Sequence, residues 1–175
     1  MAFPLLNLYT SIYQADFKKL LGGRSYMVLG NQIIFEKEEE IFVTVIDKNR
    51  TDFTKKDYLA LPENAPYELI NGKLQYRSSP FDNHQKVSIN LSSYLNFHVK
   101  KNKLGIVRTA PFDVHFDDNN IYQPDILFVS KERSQIVKKY VYGAPDFIVE
   151  ILSNGTKTKD FGEKKDLYEA QNVLE

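Results

Sequence analysis

Cysteine is absent from all 175 residues of the sequence. A disulfide framework, a thiolate nucleophile and a cysteine-ligated zinc or iron–sulfur site are excluded with it. There is also no excess of either charge: 23 Lys+Arg stand against 23 Asp+Glu, a formal balance of 23 − 23 = 0. Coating nucleic acid by bulk charge is therefore excluded, although a local basic cleft is not. No apolar run approaches the roughly 18 residues that a membrane span requires. Met1 to Tyr13 is apolar, but it has no basic start and carries Asn7, Thr10 and Ser11, so it reads as a poor signal peptide. The expectation is a soluble, cytoplasmic protein with no membrane partner. No period of about 20–50 residues recurs, which argues against solenoids and propellers.

What is present is globular in character. Hydrophobic residues make up 42% and charged residues 26%, which excludes wholesale disorder. The length suits one domain of ordinary size, about 100–200 residues.

The chain changes character at the polar stretch Asp47-Lys48-Asn49-Arg50-Thr51-Asp52. Before it, a short N-terminal helix is expected. Tyr26–Leu29 and Gln32–Phe35 then flank Gly30-Asn31, a hairpin signal, and Ile41–Ile46 reads as a third strand. Residues 1–50 are thus predicted to form a β-rich extension. After the linker, Thr54 is a plausible N-cap with Asp57 three residues on, and the helix stops before Pro62. Tyr67–Ile70 and Lys73–Tyr76 flank Asn71-Gly72, the strongest short hairpin signal in the chain. Val87, Leu91, Tyr94, Leu95 and His98 fall on one predicted helical face. Strands are predicted over Ile106–Thr109, Phe112–Phe116, Ile121–Val129 and Phe147–Leu152, and a closing helix over Asp160–Ala170. This order predicts a mixed α/β sandwich.

Glu150 is the most informative anomaly. A carboxylate in the apolar run Phe147–Leu152 must point into a buried layer or emerge at the sheet's end, and unpaired burial would cost several kcal/mol. Pairing with a surface lysine is the bland alternative. Asp125 poses the same question: Pro124 before it belongs at a strand's start, and Ile126-Leu127-Phe128-Val129 follows. A lone Pro-Asp is usually a turn aspartate, and the second such dipeptide, Pro145-Asp146, takes only that structural role. Two carboxylates on adjacent strands, however, make an oxygen-ligand site for Mg²⁺. Asp160, Lys164 and Tyr168 stack at spacings of four, so Lys164 could reach the end of the Glu150 strand; a solvated ion pair is the ordinary reading of that spacing.

Several segments then match one family in order: Tyr67–Leu74, His84 with the following helix, Ala110–Val114, Gln123-Pro124-Asp125-Ile126, Gly143–Asp146, Val149–Ser153, and the Asp160/Lys164/Tyr168 helix. Over about residues 51–175 the chain resembles the Uma-two family of putative restriction endonucleases, a branch of the PD-(D/E)XK nuclease superfamily. The resemblance implies a restriction-endonuclease-like mixed sheet flanked by helices, cutting the phosphodiester bonds of DNA with Mg²⁺, for which Mn²⁺ substitutes. Asp125 would be the first acid, Glu150 the second and Glu68 the third, all three serving as metal ligands. The superfamily's usual lysine position is Leu152 here, so its duty would fall to Lys164. The family's helix is commonly followed by a further strand, so this reading has the domain C-terminally short, with the N-terminal strands or a homodimer filling the edge. The competing reading is an inactive nuclease-fold module for protein or nucleic-acid interaction. A small-molecule hydrolase using His84 or His115 lacks any G-x-S-x-G nucleophile motif.

Overall fold

The computed structural model describes residues 26–29, 32–37, 40–47, 49–152 and 160–174. The expected N-terminal helix and the Gly30-Asn31 turn lie outside them. The chain divides into two compact units, one of residues 1–49 with 59–65, the other of residues 50–58 with 66–175.

In the first unit β1 (Tyr26–Leu29), β2 (Gln32–Lys37) and β3 (Glu40–Val45) form an antiparallel sheet in the order β1-β2-β3. Its registers close on Leu29↔Gln32 and Lys37↔Glu40, as expected for consecutive hairpins.

The first helix of the second unit is α1 (Lys55–Leu59), of which residues 55–58 fall in that unit. The Asp57 carboxylate accepts both the backbone N–H and the hydroxyl of Thr54 at 2.8 Å, tying down the helix start. Next come β4 (Tyr67–Ile70) and β5 (Lys73–Tyr76), joined by Asn71 and Gly72 at φ 47° and 73°, the left-handed pair of a type I′ turn. A side chain at Gly72 would also collide with the Thr51 carbonyl oxygen. The long helix α2 (Asp82–Asn102) ends on Lys103 at φ 55° and runs into β6 (Gly105–Thr109). Then follow β7 (Val114–His115), β8 (Ile121–Tyr122), β9 (Ile126–Ser130), a 3₁₀ turn over Lys131–Ile136, β10 (Val141–Tyr142), β11 (Phe147–Val149) and α3 (Asp160–Ala170).

The strands make a five-stranded sheet, β10-β7-β8-β4-β5, and a three-stranded sheet, β11-β9-β6. The predicted strand Ile121–Val129 is really two strands, one in each sheet. Pro124 has no N–H to give a ladder, and the N–H of Gln123 is donated to a side chain instead, so pairing stops and the chain crosses over. Val114 and Val141 of the larger sheet pack with Leu127 and Val129 of the smaller one, with Ile148 against them. Ile70 and Tyr122 pack with Leu167 of α3. The face of α2 also differs from expectation. His84, Leu91, Leu95 and Val99 lie inward while Val87 and Tyr94 are exposed, because the small polar Ser88 and Ser92 share the inner side and disguise it in a hydropathy pattern. Among the described residues no helix is long and apolar enough to cross a membrane.

Candidate active site

The crossover between the sheets gathers the charged groups. Glu68 is the second residue of β4 and is 5% exposed. The register Leu69↔Ile121, carried one residue along, sets Glu68 opposite Tyr122. The Gln123 N–H donates to Glu68 Oε1 at 2.7 Å. Asp125 immediately precedes β9 and Glu150 immediately follows β11. These strands pair antiparallel with Val149↔Ile126, so one further step sets Asp125 opposite Glu150. Glu150 has thus emerged at the sheet's end.

α3 supplies the cation. Lys164 Nζ lies 3.1 Å from Glu150 Oε1 and 3.3 Å from Glu68 Oε2. One turn later the Tyr168 hydroxyl donates to Glu150 Oε1 at 2.6 Å. Glu68, Asp125, Glu150 and Lys164, which the sequence singles out from distant segments, come together here. Leu152, at the position where the superfamily places lysine, is 47% exposed.

Burial shapes the protonation equilibria. The Glu150 carboxyl is raised above its ordinary value, first by burial and then by the negative charges of Glu68 and Asp125; Lys164 and Tyr168 offset this only in part. Burial pulls the Lys164 ammonium down, but Glu68 and Glu150 more than reverse that and hold it above its ordinary value. The Tyr168 phenol is pushed well up by burial and by Glu150, so it stays a hydrogen-bond donor.

Three further groups were not picked out as site residues from sequence. His84, in the first turn of α2, has Nε2 3.0 Å from Asp125 Oδ2. It belongs with the acids and shows no arrangement of a hydrolytic nucleophile. Gln123 links Glu68 to a buried network: its side-chain Nε2 donates to Asp113 Oδ1 at 2.7 Å and its Oε1 accepts from Arg77. Tyr168 was visible only as a stacked position. His115, by contrast, lies buried between Tyr140 and Tyr142 on β10's side of the larger sheet, its imidazole pulled down to about 4 by burial and by nearby Lys55. Arg133, a conceivable phosphate contact, is engaged with Asp146 at 3.1 Å.

A mixed α/β fold with acids and a lysine at a strand-end crossover defines a restriction-endonuclease-like class of protein. The family described as "Uma2: Putative restriction endonuclease" matches residues 56–175, and the chain belongs to that family. Among solved structures, the chain is similar to a "putative nuclease belonging to DUF820" from Anabaena variabilis, with a TM-score of 0.55 and 24% identity. That match covers 66% of this chain and 66% of the other, just under two thirds of its length, and it establishes the fold. No curated protein matches the sequence.

Proposed function

We propose that the chain is a divalent-metal-dependent endonuclease that hydrolyses phosphodiester bonds of DNA, with residues 51–175 as the nuclease-like domain and residues 1–50 as its extension. The observation that carries this reading is the cluster in which Lys164 bonds Glu68 and Glu150 and Asp125 lies beside Glu150.

The donor chemistry fits a hard divalent ion. Among the described residues Lys164 is the lysine bonded to Glu68 and Glu150, and Asp125 adds a third carboxylate beside Glu150. Among the described residues no donor reaches Asp125 Oδ1 or Glu150 Oε2, because the hydrogen bonds fall on Asp125 Oδ2 and Glu150 Oε1. Among the described residues no group of three or more His, Asp or Glu side chains is placed to hold a metal ion by itself. Mg²⁺ is ordinarily held by one or two carboxylates together with waters and substrate phosphate, so the protein need supply only part of its shell. Asp125 and Glu150 would hold the ion; Glu68 adds a third carboxylate and seats Lys164. Once bound, the ion supplies Lewis-acid polarisation of the phosphate and a more acidic water.

The protein's own part is positioning and charge. Lys164 Nζ stabilises the negative charge that grows on the phosphoryl oxygens. Tyr168 fixes the rotamer of Glu150 through its 2.6 Å bond. Gln123 fixes Glu68 through its backbone N–H. A homodimer is the assembly we propose, to be checked by light scattering.

A second reading, an inactive nuclease-fold interaction module, has one observation in its favour: Lys164 already neutralises Glu68 and Glu150 in part. Cleavage of supercoiled DNA and of RNA, with Mg²⁺ or Mn²⁺, by wild type, Asp125→Ala and Lys164→Ala separates the two. The nuclease reading expects metal-dependent cutting of DNA by the wild type alone. Identical behaviour of all three proteins supports the module.

A further inference from the structure

The acids share a pattern of hydrogen bonding that reaches beyond their own strands. Asp125 Oδ2 takes two donors, the Ile151 N–H at 2.8 Å and His84 Nε2 at 3.0 Å. Both fall on the same oxygen. Oδ1 receives none among the described residues, so the carboxylate is held by one atom and presents the other. An ionised carboxylate only accepts hydrogen bonds, so the imidazole must face it with the proton on Nε2. His84 Nδ1, the other ring nitrogen, is buried without a partner among the described residues. Among the described residues the ring's polar engagement is thus with Asp125. His84 and Asp125 are also well shielded, at 16% and 12% side-chain exposure, so water competes poorly for the bond.

We infer that His84 is a positioning residue for the cation site: it holds Asp125 by Oδ2 and leaves Oδ1 as the oxygen that would take an ion. This rests on the metal-binding reading above and adds to it a residue from a separate element, the first turn of α2. The Ile151 N–H comes from the segment just after β11, the same segment that carries Glu150. His84 ties the same oxygen to a 21-residue helix. The ring makes no contact with the ion itself, since Nε2 is spent on Asp125 and Nδ1 is enclosed. Removing a donor that orients a metal ligand without touching the metal typically costs about 10–100-fold in metal affinity.

The test is calorimetric titration of Mn²⁺ into the full-length chain, comparing wild type with His84→Gln, His84→Asn, His84→Ala and Asp125→Ala. The glutamine amide nitrogen can approach the place of Nε2, whereas that of asparagine corresponds to Nδ1 and falls short of Asp125. Affinity should drop about 10-fold or more in His84→Asn and His84→Ala and stay within about threefold of wild type in His84→Gln. Long-range ¹⁵N spectra of the metal-free wild type should show a proton on Nε2 of His84, facing Asp125. If His84→Ala fails to fold, the glutamine–asparagine pair still decides. Wild-type binding that Asp125→Ala abolishes but His84→Asn leaves intact would overturn the inference and spare the metal site. A wild type that binds no Mn²⁺ would overturn both.

Discussion

The paired strands β9 and β11 have a Pro-Asp dipeptide near each end, and the two ends have opposite characters. At one end Asp146, after Pro145, accepts the Ser130 N–H at 2.8 Å and the Arg133 guanidinium at 3.1 Å. Arg133 also donates to the Ala144 carbonyl at 2.7 Å, so one anion meets one cation and the cluster closes. At the other end Asp125, after Pro124, likewise accepts a backbone N–H at 2.8 Å, from Ile151. Its surroundings are different: Glu150 is across the ladder, and among the described residues Lys164 is the ammonium bonded to both Glu150 and Glu68. The local motif and the backbone bond are alike. What separates a structural aspartate from a candidate catalytic one is the charge balance its tertiary neighbours create, since an imbalance invites an external cation.

The strongest way to break this comparison is to remove the cation at each end. Lys164→Ala should cut the nuclease rate by about 10²–10³, the usual cost of losing a group that stabilises transition-state charge. Arg133→Ala should leave the rate within about twofold, because it removes a partly exposed structural pair worth on the order of 1 kcal/mol or less. Plasmid cleavage under single-turnover conditions checks both. Equal losses would show that the two ends are not functionally distinct.

Metal addition is the next largest effect. With Mn²⁺ at about a hundred times its Kd, the wild type should gain about 2.7 kcal/mol in unfolding free energy, read from urea transitions. Asp125→Ala should lose that gain and Asp146→Asn should keep it. A smaller effect falls on stability alone. Asp146→Ala deprives the Ser130 N–H of its acceptor and should cost about 1–3 kcal/mol, with Mn²⁺ affinity unchanged.

The ladder itself explains how far the sequence could be read. Asp125 and Glu150 were visible because carboxylates interrupted apolar runs, and the Asn71-Gly72 turn was visible because its chemistry is local. Glu68 was not visible on physical grounds: a glutamate in Tyr67-Glu68-Leu69-Ile70 reads as the outward position of an alternating strand, and it entered only through family resemblance. In the structure all four residues of β4 are buried, since α3 covers the face that solvent would otherwise occupy. His84 was named in the family match, but its role was hidden for a related reason. Its importance comes from Asp125, 41 positions away, and nothing within its own helical turn records that pairing. The division of Ile121–Val129 into two strands was foreshadowed by Pro124, but its partner signal, the Gln123 N–H turning to Glu68, exists only in three dimensions. The order of segments was legible; the contacts between them were not.

The smallest expected effect is also the sharpest on the comparison, because its sign differs at the two ends. Burial pushes the Asp146 carboxyl up, but the Ser130 N–H and Arg133 outweigh it and hold the folded value below the ordinary 3.8. The unfolded chain therefore takes up this proton first as pH falls. Asp146 contributes stability that is present above about 3.8 and lost as pH drops through the lower folded value. For Glu150 the order is reversed. Burial, reinforced by Glu68 and Asp125, lifts the folded value above 4.5, so the folded protein keeps the proton longer than the unfolded chain. Its contribution is most favourable below about 4.5 and diminishes as pH rises from there through the raised folded value. Urea midpoints of wild type, Asp146→Asn and Glu150→Gln, measured without metal between about pH 3 and pH 7, isolate the two slopes. The deficit of Asp146→Asn should shrink toward acid pH. Glu150→Gln should instead improve relative to wild type as pH rises, because the substitution removes a charge that is costly to bury beside two other carboxylates. Parallel slopes would mean that Lys164 fully compensates Glu150, leaving this end of the ladder as closed as the Asp146 end and without the uncompensated charge that calls for a cation.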